Sequence, residues 1–328
     1  MNRNRMNKKR MGRARVLSRA AAGMLAAALC FQPMTALAGP AGDSSLTSSS
    51  SNAGPGGGSG SSNSGSTGSS GGSTSVSNGG VSAVTSGLGV YRVTENEGIG
   101  AIARGVDVSY WQQNVNWSQV ASDNVQFAML ATRFRGNVDP FFAMNAANAS
   151  QAGLRLGAYI YSYATSVEMA QQEADFVLNL IKDYPISFPV VFDAEDANTL
   201  GTLTQSQVSD VINAFCKRIQ DAGYYPMVYA NEYWIANKID MSKISYDIWV
   251  AKYQQKYTYS KTSMWQASNT GSVKGVNGNV DIDYLYKDYT QIIPGNTWRT
   301  IAGNRYYYQN HVMQKAAWIN DKSEAKRS

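Results

Sequence analysis

The chain of 328 residues is long enough for one large domain or two ordinary ones, and its charge is unevenly distributed. Residues 1–38 contain eight basic residues and no acidic residue; without them the 29 basic residues fall to 21, against 23 acidic residues. The basic isoelectric point therefore belongs to this leader, and no nucleic acid is expected as a partner. A single histidine, His311, excludes histidine-based nucleophilic catalysis or a histidine zinc site in the core, and no metal or cofactor is predicted.

The first 95 residues differ in composition from the rest of the chain. Residues 1–38 combine a basic segment, the short apolar run AAAGMLAAALCF and a small-residue motif, ALA, which is typical of a secretory signal peptide. The apolar run is too short for a permanent membrane anchor. We expect a secreted monomer, extracellular or associated with the cell wall, with no membrane anchor after cleavage. Residues 39–95, rich in Gly and Ser, are predicted to be a flexible linker.

Between residues 100 and 290, strand-like apolar runs alternate with helix-like segments. The pairs Thr165–Glu168 and Thr204–Gln207 predict capping boxes at two helix starts, and a third helix is expected over 140–152. Helices separate the first five strands, whereas the last three follow one another. This order predicts an α/β fold, a modified TIM-like barrel of about five βα units closed by three further strands. The predicted strands are 104–109, 127–132, 156–161, 188–193, 225–230, 247–252, 263–268 and 279–286.

The segment PVVFDAED places three carboxylates, Asp193, Glu195 and Asp196, directly after a buried strand. Asp193 and Glu195 share one face of an extended chain, at a spacing of roughly 6–7 Å, whereas Asp196 points the other way. Repulsion between two such charges raises the pKa of one towards neutrality, which suits the acid of a glycosidase. A turn cap and a solvated glutamate would also explain the motif, but Asp107 and Asp281 lie at the ends of two other predicted strands.

Seven segments follow one another in a characteristic order, from GVDVSYWQQNVNW through PVVFDAED to GNVDIDYLY. Together they resemble the glycoside hydrolase family 25 lysozymes, N-acetylmuramidases that act on peptidoglycan. The resemblance implies a catalytic domain over 100–290 in which Glu195 is the general acid. It also implies that Asp193 orients the substrate N-acetyl group, which attacks the anomeric carbon, and that Asp107 and Asp281 line the same cleft. The implied reaction is cleavage of the β-1,4 bond between N-acetylmuramic acid and N-acetylglucosamine.

Two residues depart from the family pattern. Asn116 stands where Asp is usual, and Asp283 stands where Asn is usual and is expected to raise the pKa of Glu195. Arg133 could pair with one of the acids or form a surface salt bridge.

Two other functions stay open: a β-hexosaminidase or chitinase-type glycosidase, and a non-catalytic cell-wall-binding protein.

Aromatic residues near strand ends are candidates for stacking on sugar rings. We predict that Tyr161, Tyr229 and Trp249 bind substrate, whereas Trp117 and Trp234 follow helix-start patterns and are assigned to the core.

Residues 291–328 resemble one copy of the cell-wall-binding repeats of Gram-positive surface proteins. One such repeat buries little surface, so we expect a single copy packed on the barrel. Its aromatic positions would be Trp298, Tyr306, Tyr307, Tyr308 and Trp318. Elsewhere, Cys216 follows a helical pattern and is predicted to be a buried structural thiol.

Overall fold

The computed structural model describes residues 75–78, 81–93 and 96–315. The predicted signal peptide, most of the predicted linker and Trp318 lie outside these ranges. The first described elements are β1 (Ser75–Asn78), β2 (Val81–Ser86) and β3 (Gly89–Val93), which form an antiparallel sheet in this order. The prediction of a flexible linker up to residue 95 is therefore wrong over this part, because VSAVTSGLGVYRV carries β-branched residues on both sides of a glycine-containing turn.

The sheet of β1 to β3 is joined to the rest of the fold by side-chain contacts. Tyr91 is buried. The Asn124 amide accepts a hydrogen bond from the Arg92 backbone N–H (2.9 Å) and donates one to the Arg92 carbonyl (2.6 Å). The folded region thus begins before the predicted start of the catalytic domain.

Ten further strands follow in chain order: β4 (Ala103–Val108), β5 (Phe127–Ala131), β6 (Arg133–Phe134), β7 (Asn137–Val138), β8 (Arg155–Tyr161), β9 (Ile186–Asp193), β10 (Pro226–Asn231), β11 (Asp247–Ala251), β12 (Thr262–Gly271) and β13 (Val280–Leu285). Eight of them close into a barrel whose order is β10-β11-β12-β13-β4-β5-β8-β9, and β6 and β7 pair with each other outside it. Neighbouring barrel strands are parallel, except that β13 is antiparallel to both β12 and β4.

A helix follows each of the first five barrel strands, whereas loops join β11, β12 and β13. The predicted α/β barrel of five βα units closed by three strands is therefore confirmed. None of the helices in the described ranges is both long and apolar enough to cross a membrane. The helices are α1 (Trp117–Ser122), α2 (Phe142–Gln151), α3 (Val167–Ile181), α4 (Gln205–Asp221) and α5 (Glu232–Asn237).

The predicted helix starts differ in accuracy. The capping box of α4 is confirmed, because Thr204 and Gln207 bond to each other's backbone N–H groups. The prediction for α3 is wrong by one residue: Ser166 is the N-cap, and its hydroxyl accepts a hydrogen bond from the Met169 N–H (3.2 Å). Ser166 has the extended backbone of an N-cap residue, so the helix starts one residue later than the Thr165 pattern indicates.

Two apolar layers hold the barrel together. One fills its interior, with Phe127, Phe188 and Met227 among its members, and the other lies between the strands and the surrounding helices. Trp117 and Trp234 belong to the outer layer, as predicted. Cys216 is also buried there, and burial raises the pKa of its thiol.

The tail forms a separate antiparallel sheet of β14 (Thr297–Ile301), β15 (Asn304–Gln309) and β16 (Val312–Met313). The guanidinium of Arg299 lies 3.8 Å from the ring centroid of Tyr224 and 4.4 Å from that of Tyr308. The Tyr308 hydroxyl donates a hydrogen bond to the Lys182 carbonyl (2.9 Å). The sheet is therefore packed against the helical layer of the barrel.

Candidate active site

The carboxylates singled out in the sequence meet at the C-terminal mouth of the barrel. Asp107 in β4 lies directly opposite Asp281 in the antiparallel strand β13. Asp193 is the last residue of β9 and has Tyr161 and Tyr229 as its partners on the two neighbouring strands. Glu195 follows β9 by two residues. Acids from three strands thus share one end of the barrel, where barrel enzymes carry their chemistry.

Glu195 has the environment of a proton donor. Burial raises the pKa of its carboxyl group to about 7, the charges of Asp281 and Asp196 act in the same direction, and a hydrogen bond from Asn231 opposes them. Burial was not the expected cause, since the sequence argument relied on repulsion from Asp193. Burial is the largest contribution because removing a carboxylate from water penalises the charged form wherever its neighbours lie.

Asn231 is a site residue that the sequence analysis missed. Its side-chain oxygen accepts a hydrogen bond from the Trp234 N–H (3.0 Å) and so caps α5. This cap fixes the orientation of the amide, which leaves its NH₂ group to donate to Glu195. An asparagine at a junction between a barrel strand and a helix, in YANEYW, was the available signal.

Asp193 is buried, and one of its oxygens, Oδ1, accepts no hydrogen bond from the described residues. Burial raises the pKa of this carboxyl group well above its ordinary value, and the charges of Glu195 and Asp196 raise it further. A buried carboxylate oxygen without a donor is costly for the protein alone. It is well suited to accept a hydrogen bond from a ligand.

Asp107 is held by a short chain of hydrogen bonds. The Gln266 amide donates to Asp107 Oδ2 (2.7 Å), and the Gln266 oxygen accepts from the hydroxyls of Tyr229 (2.8 Å) and Tyr253 (2.7 Å). Burial raises the pKa of Asp107, and the Asp281 charge adds to this effect. Gln266 was also missed, although a glutamine within the apolar strand sequence MWQA indicated an inward-facing polar group.

One predicted sugar contact, Trp249, is buried inside the barrel. Trp249 is only 1% exposed, and its indole N–H donates to Asp283 Oδ1 (3.0 Å) inside the barrel. Tyr229 is buried against Trp249, with ring centroids 4.8 Å apart. Trp249 therefore does not face a substrate, whereas Tyr229 lies level with Asp193 on the neighbouring strand and stays a predicted sugar contact.

Asp283 does not act as expected. It is fully buried, and burial together with the Asp281 charge raises its own pKa. Its charge raises the pKa of Asp107, whereas the charges acting on Glu195 are those of Asp281 and Asp196. The predicted effect of Asp283 on Glu195 is therefore wrong.

Asp196 and Tyr161 form a pair at the rim of the site. Asp196 Oδ1 accepts hydrogen bonds from the backbone N–H groups of Asn198 (3.0 Å) and Thr199 (2.8 Å), so it caps a turn. The Tyr161 hydroxyl donates to Asp196 Oδ2 (3.1 Å). Because Tyr161 remains partly exposed, it is still a candidate for contact with a sugar.

Two other predicted residues lie outside the acid cluster. Arg133 forms a mostly buried ion pair with Glu173, so it neither contacts the acids nor lies in a surface salt bridge. Asn116 caps α1 by accepting from the Gln119 N–H (3.3 Å). Asn and Asp are equally good N-caps, which explains how this departure is accommodated. No cluster of three or more His, Cys, Asp or Glu residues suited to a metal ion occurs in the described ranges.

A closed α/β barrel with carboxyl groups of raised pKa at its C-terminal mouth is an architecture that glycoside hydrolases use. Residues 106–276 match the model of the family described as "Glycosyl hydrolases family 25", and the chain belongs to this family. The predicted enzyme class is thus confirmed.

Three relatives illustrate the similarity. The uncharacterized protein YegX of Escherichia coli O157:H7 is 31% identical over 189 residues, covering 55% of this chain and 68% of YegX. Lysozyme M1 of Streptomyces globisporus is 30% identical over 195 residues, covering 54% of this chain and 66% of that protein. The structure of the modular autolysin LytC from Streptococcus pneumoniae has a TM-score of 0.54 at 22% identity, covering 65% of this chain and 58% of LytC, and it shares the fold.

Proposed function

We propose that the protein is a secreted bacterial muramidase that cleaves the β-1,4 bond between N-acetylmuramic acid and N-acetylglucosamine in peptidoglycan. The observation that carries the proposal is the meeting of Glu195 and Asp193 with the facing pair Asp107 and Asp281 at the barrel mouth, and the raised pKa of Glu195 agrees with it. Similarity to a protein named Lysozyme M1 supports the substrate.

Glu195 acts as the general acid. With a pKa of about 7 it retains its proton in neutral and mildly acidic solution, and it transfers that proton to the glycosidic oxygen as the bond breaks. The leaving sugar departs as a neutral alcohol, and Glu195 becomes a carboxylate. This carboxylate then accepts a proton from the water that attacks in the second step.

Asp193 orients the substrate acetamido group. Its buried Oδ1 accepts the acetamido N–H, and the acetamido oxygen attacks the anomeric carbon as the glycosidic bond breaks. The positive charge of the resulting cyclic intermediate lies beside the Asp193 carboxylate. Water then opens this intermediate from the opposite face, so the anomeric configuration is retained over the two steps.

Asp107 and Asp281 line the cleft next to the catalytic pair. Gln266 fixes the orientation of Asp107, and the charge of Asp281 favours the protonated form of Glu195. Tyr161 contributes an aromatic face at the rim.

The domain organisation supports action outside the cell. Residues 1–38 serve as the signal peptide, 39–74 as a linker and 291–328 as a tail that resembles a single cell-wall-binding repeat. The Gly- and Ser-rich composition of the linker and the aromatic residues of the tail support these assignments.

The products of digestion test the assignment. Purified peptidoglycan is incubated with the protein, the new chain ends are reduced with borohydride, and the reduced sugars are identified by mass spectrometry. Muramitol ends are expected from the wild type and not from Glu195→Gln. Glucosaminitol ends would favour a glucosaminidase or chitinase-type enzyme. No new reducing ends across a range of pH would favour a binding protein.

A further inference from the structure

An exposed aromatic cluster borders the mouth of the barrel and has no part in the mechanism above. Tyr110 and Trp111 lie in a 3₁₀ turn after β4, and Phe134 lies in the small hairpin after β5. Tyr110 stacks on Phe134 with ring centroids 4.1 Å apart, and Trp111 meets Phe134 edge to face at 5.7 Å. Trp111 nevertheless remains 67% exposed. A large aromatic ring is thus presented to solvent on a packed aromatic base.

Hydrogen bonds hold this cluster in place. Ser109 and Gln112 form a capping box around the turn. The Tyr110 N–H donates to the buried carboxylate of Asp139 (2.7 Å). The Gln112 amide donates to the Asn279 carbonyl (3.3 Å), two residues before Asp281. These bonds fix the backbone turn that carries Trp111, so the turn loses little conformational entropy when a ligand packs on the ring.

The neighbouring residue Arg135 occupies a strained backbone conformation. It has φ 49° and precedes Gly136, with φ 81°, in the two-residue turn that joins β6 to β7. Turns of this kind favour Asn, Asp or Gly at both positions. The Arg135 guanidinium lies 5.1 Å from the ring centroid of Phe134. An arginine kept at an unfavourable position beside exposed rings points to a functional role.

We propose that Trp111 and Arg135 form an additional glycan subsite that takes an N-acetylated sugar ring with a free carboxylate, as muramic acid carries where its stem peptide has been removed. The indole face would pack on the C–H face of the sugar, and the guanidinium would bind the carboxylate. Trp111 is four residues beyond Asp107, so the subsite would hold the same polymer at a sugar beyond the cleaved bond. The assignment of this polymer rests on the proposed function.

Binding to the inactive protein tests the subsite without depending on cleavage. The full chain carrying Glu195→Gln is titrated, by calorimetry, with glycan strands stripped of peptide, in which the lactyl carboxylate is free. Chitin oligosaccharides of equal length serve as the ligand without carboxylates. Adding Trp111→Ala should lower the affinity for both ligands about tenfold. Trp111→Phe in its place should keep most of the affinity of the parent protein. Adding Arg135→Asn, which suits the turn, should weaken only the glycan strands.

Ile99→Ala is the matched control, because Ile99 is 61% exposed and precedes β4 at the other end of the barrel. It should leave both affinities unchanged. Unchanged affinity in Trp111→Ala, with melting temperature preserved, would overturn the subsite. An equal loss of affinity for both ligands in Arg135→Asn would overturn the proposed role of the Arg135 charge in binding the carboxylate. Failure of the muramidase assignment would appear separately, as the absence of muramitol ends from the wild type.

Discussion

The carboxylate of Asp247 and the carboxylates of the active site lie at opposite ends of the same barrel and differ in their hydrogen-bond partners. At the N-terminal end, Asp247 accepts hydrogen bonds from Lys287 (2.7 Å), Tyr225 (2.9 Å) and Tyr289 (3.0 Å). Burial by itself would raise the pKa of Asp247, but these three donors outweigh burial and hold the pKa below its ordinary value.

At the C-terminal mouth the balance is reversed. Burial raises the pKa of Glu195, the charges acting on it are those of other acids, and Asn231 supplies the hydrogen bond that opposes them. Partial burial alone therefore does not make a carboxyl group catalytic. The number of donors supplied to it decides whether it stabilises the fold or retains a proton for chemistry.

The largest effect is expected when the proton of Glu195 is removed. Glu195→Gln should lower kcat on peptidoglycan by about 10²–10⁴-fold, because general acid catalysis contributes on this scale. Release of reducing ends measures the rate, and circular dichroism checks the fold. Asp221→Asn, at a surface ion pair on α4, is the control and should keep wild-type activity. Full activity in Glu195→Gln would remove Glu195 from the mechanism.

The same substitution should change how stability depends on pH. Glu195 has an ordinary pKa of 4.5 and a folded-state pKa of about 7, so the folded protein holds this proton more tightly than the unfolded chain does. The free energy of unfolding should fall as pH rises through this window, by roughly 2–3 kcal/mol from pH 5 to pH 8. Chemical denaturation at both values measures it. Glu195→Gln should lack this part of the decrease, and identical decreases in both proteins would contradict the raised pKa.

At the other end of the barrel, the effect should be on stability alone. Asp247→Ala leaves the hydroxyls of Tyr225 and Tyr289 without their shared acceptor and should lower the free energy of unfolding by roughly 1–3 kcal/mol. Activity per folded molecule should stay the same. A thermal melt and an activity assay on one sample would separate the two effects. A lost activity with an unchanged melt would show that the two ends are not independent.

Asp281→Asn should move the basic limb of the pH–rate profile to lower pH. The Asp281 charge raises the pKa of Glu195, so its neutralisation should make Glu195 lose its proton at lower pH. The profile of kcat/KM against pH, compared with wild type, measures the shift. A basic limb that moves to higher pH would contradict the assigned effect of the Asp281 charge on the pKa of Glu195.

Asn231→Ser should have an effect of opposite sign, and the Asn231 hydrogen bond acts on the pKa of Glu195 more strongly than the Asp281 charge does. Serine is a good N-cap and keeps the start of α5, but it removes the amide donor that lowers the pKa of Glu195. The basic limb should then move to higher pH. Asn231→Ala, which loses the cap as well, is the comparison that reports the structural part. An unmoved limb in both variants would show that the amide does not act on Glu195.

The sequence predicted the barrel well because regular alternation and helix caps are local signals. Glu195 and Asp193 could be located from the D-x-E spacing after a buried strand. Trp249 was assigned wrongly because its alternation indicates one face of the strand but not its depth in the barrel. Its depth follows from β11 ending at Ala251, beyond it.

Residues that act on the acids from other strands were harder to predict. Gln266 and Asn231 reach Asp107 and Glu195 only when the barrel is closed. The source of the Glu195 pKa was misjudged for the same reason, because burial is a property of the whole mouth and not of neighbouring residues in the sequence. The sheet that starts at Ser75 was missed because its glycine- and serine-rich flanks resemble the linker.

The pKa of Glu195 is the central quantity, and carbon-13 NMR of the labelled side-chain carboxyl groups measures it directly. Comparison of the wild-type spectrum with that of Glu195→Gln identifies the signal. If Glu195 is the general acid, a signal should titrate with a midpoint near pH 7 and be missing from the variant. A Glu195 signal that titrates near its ordinary value of 4.5 would contradict the account, because the acid would already be ionised at neutral pH.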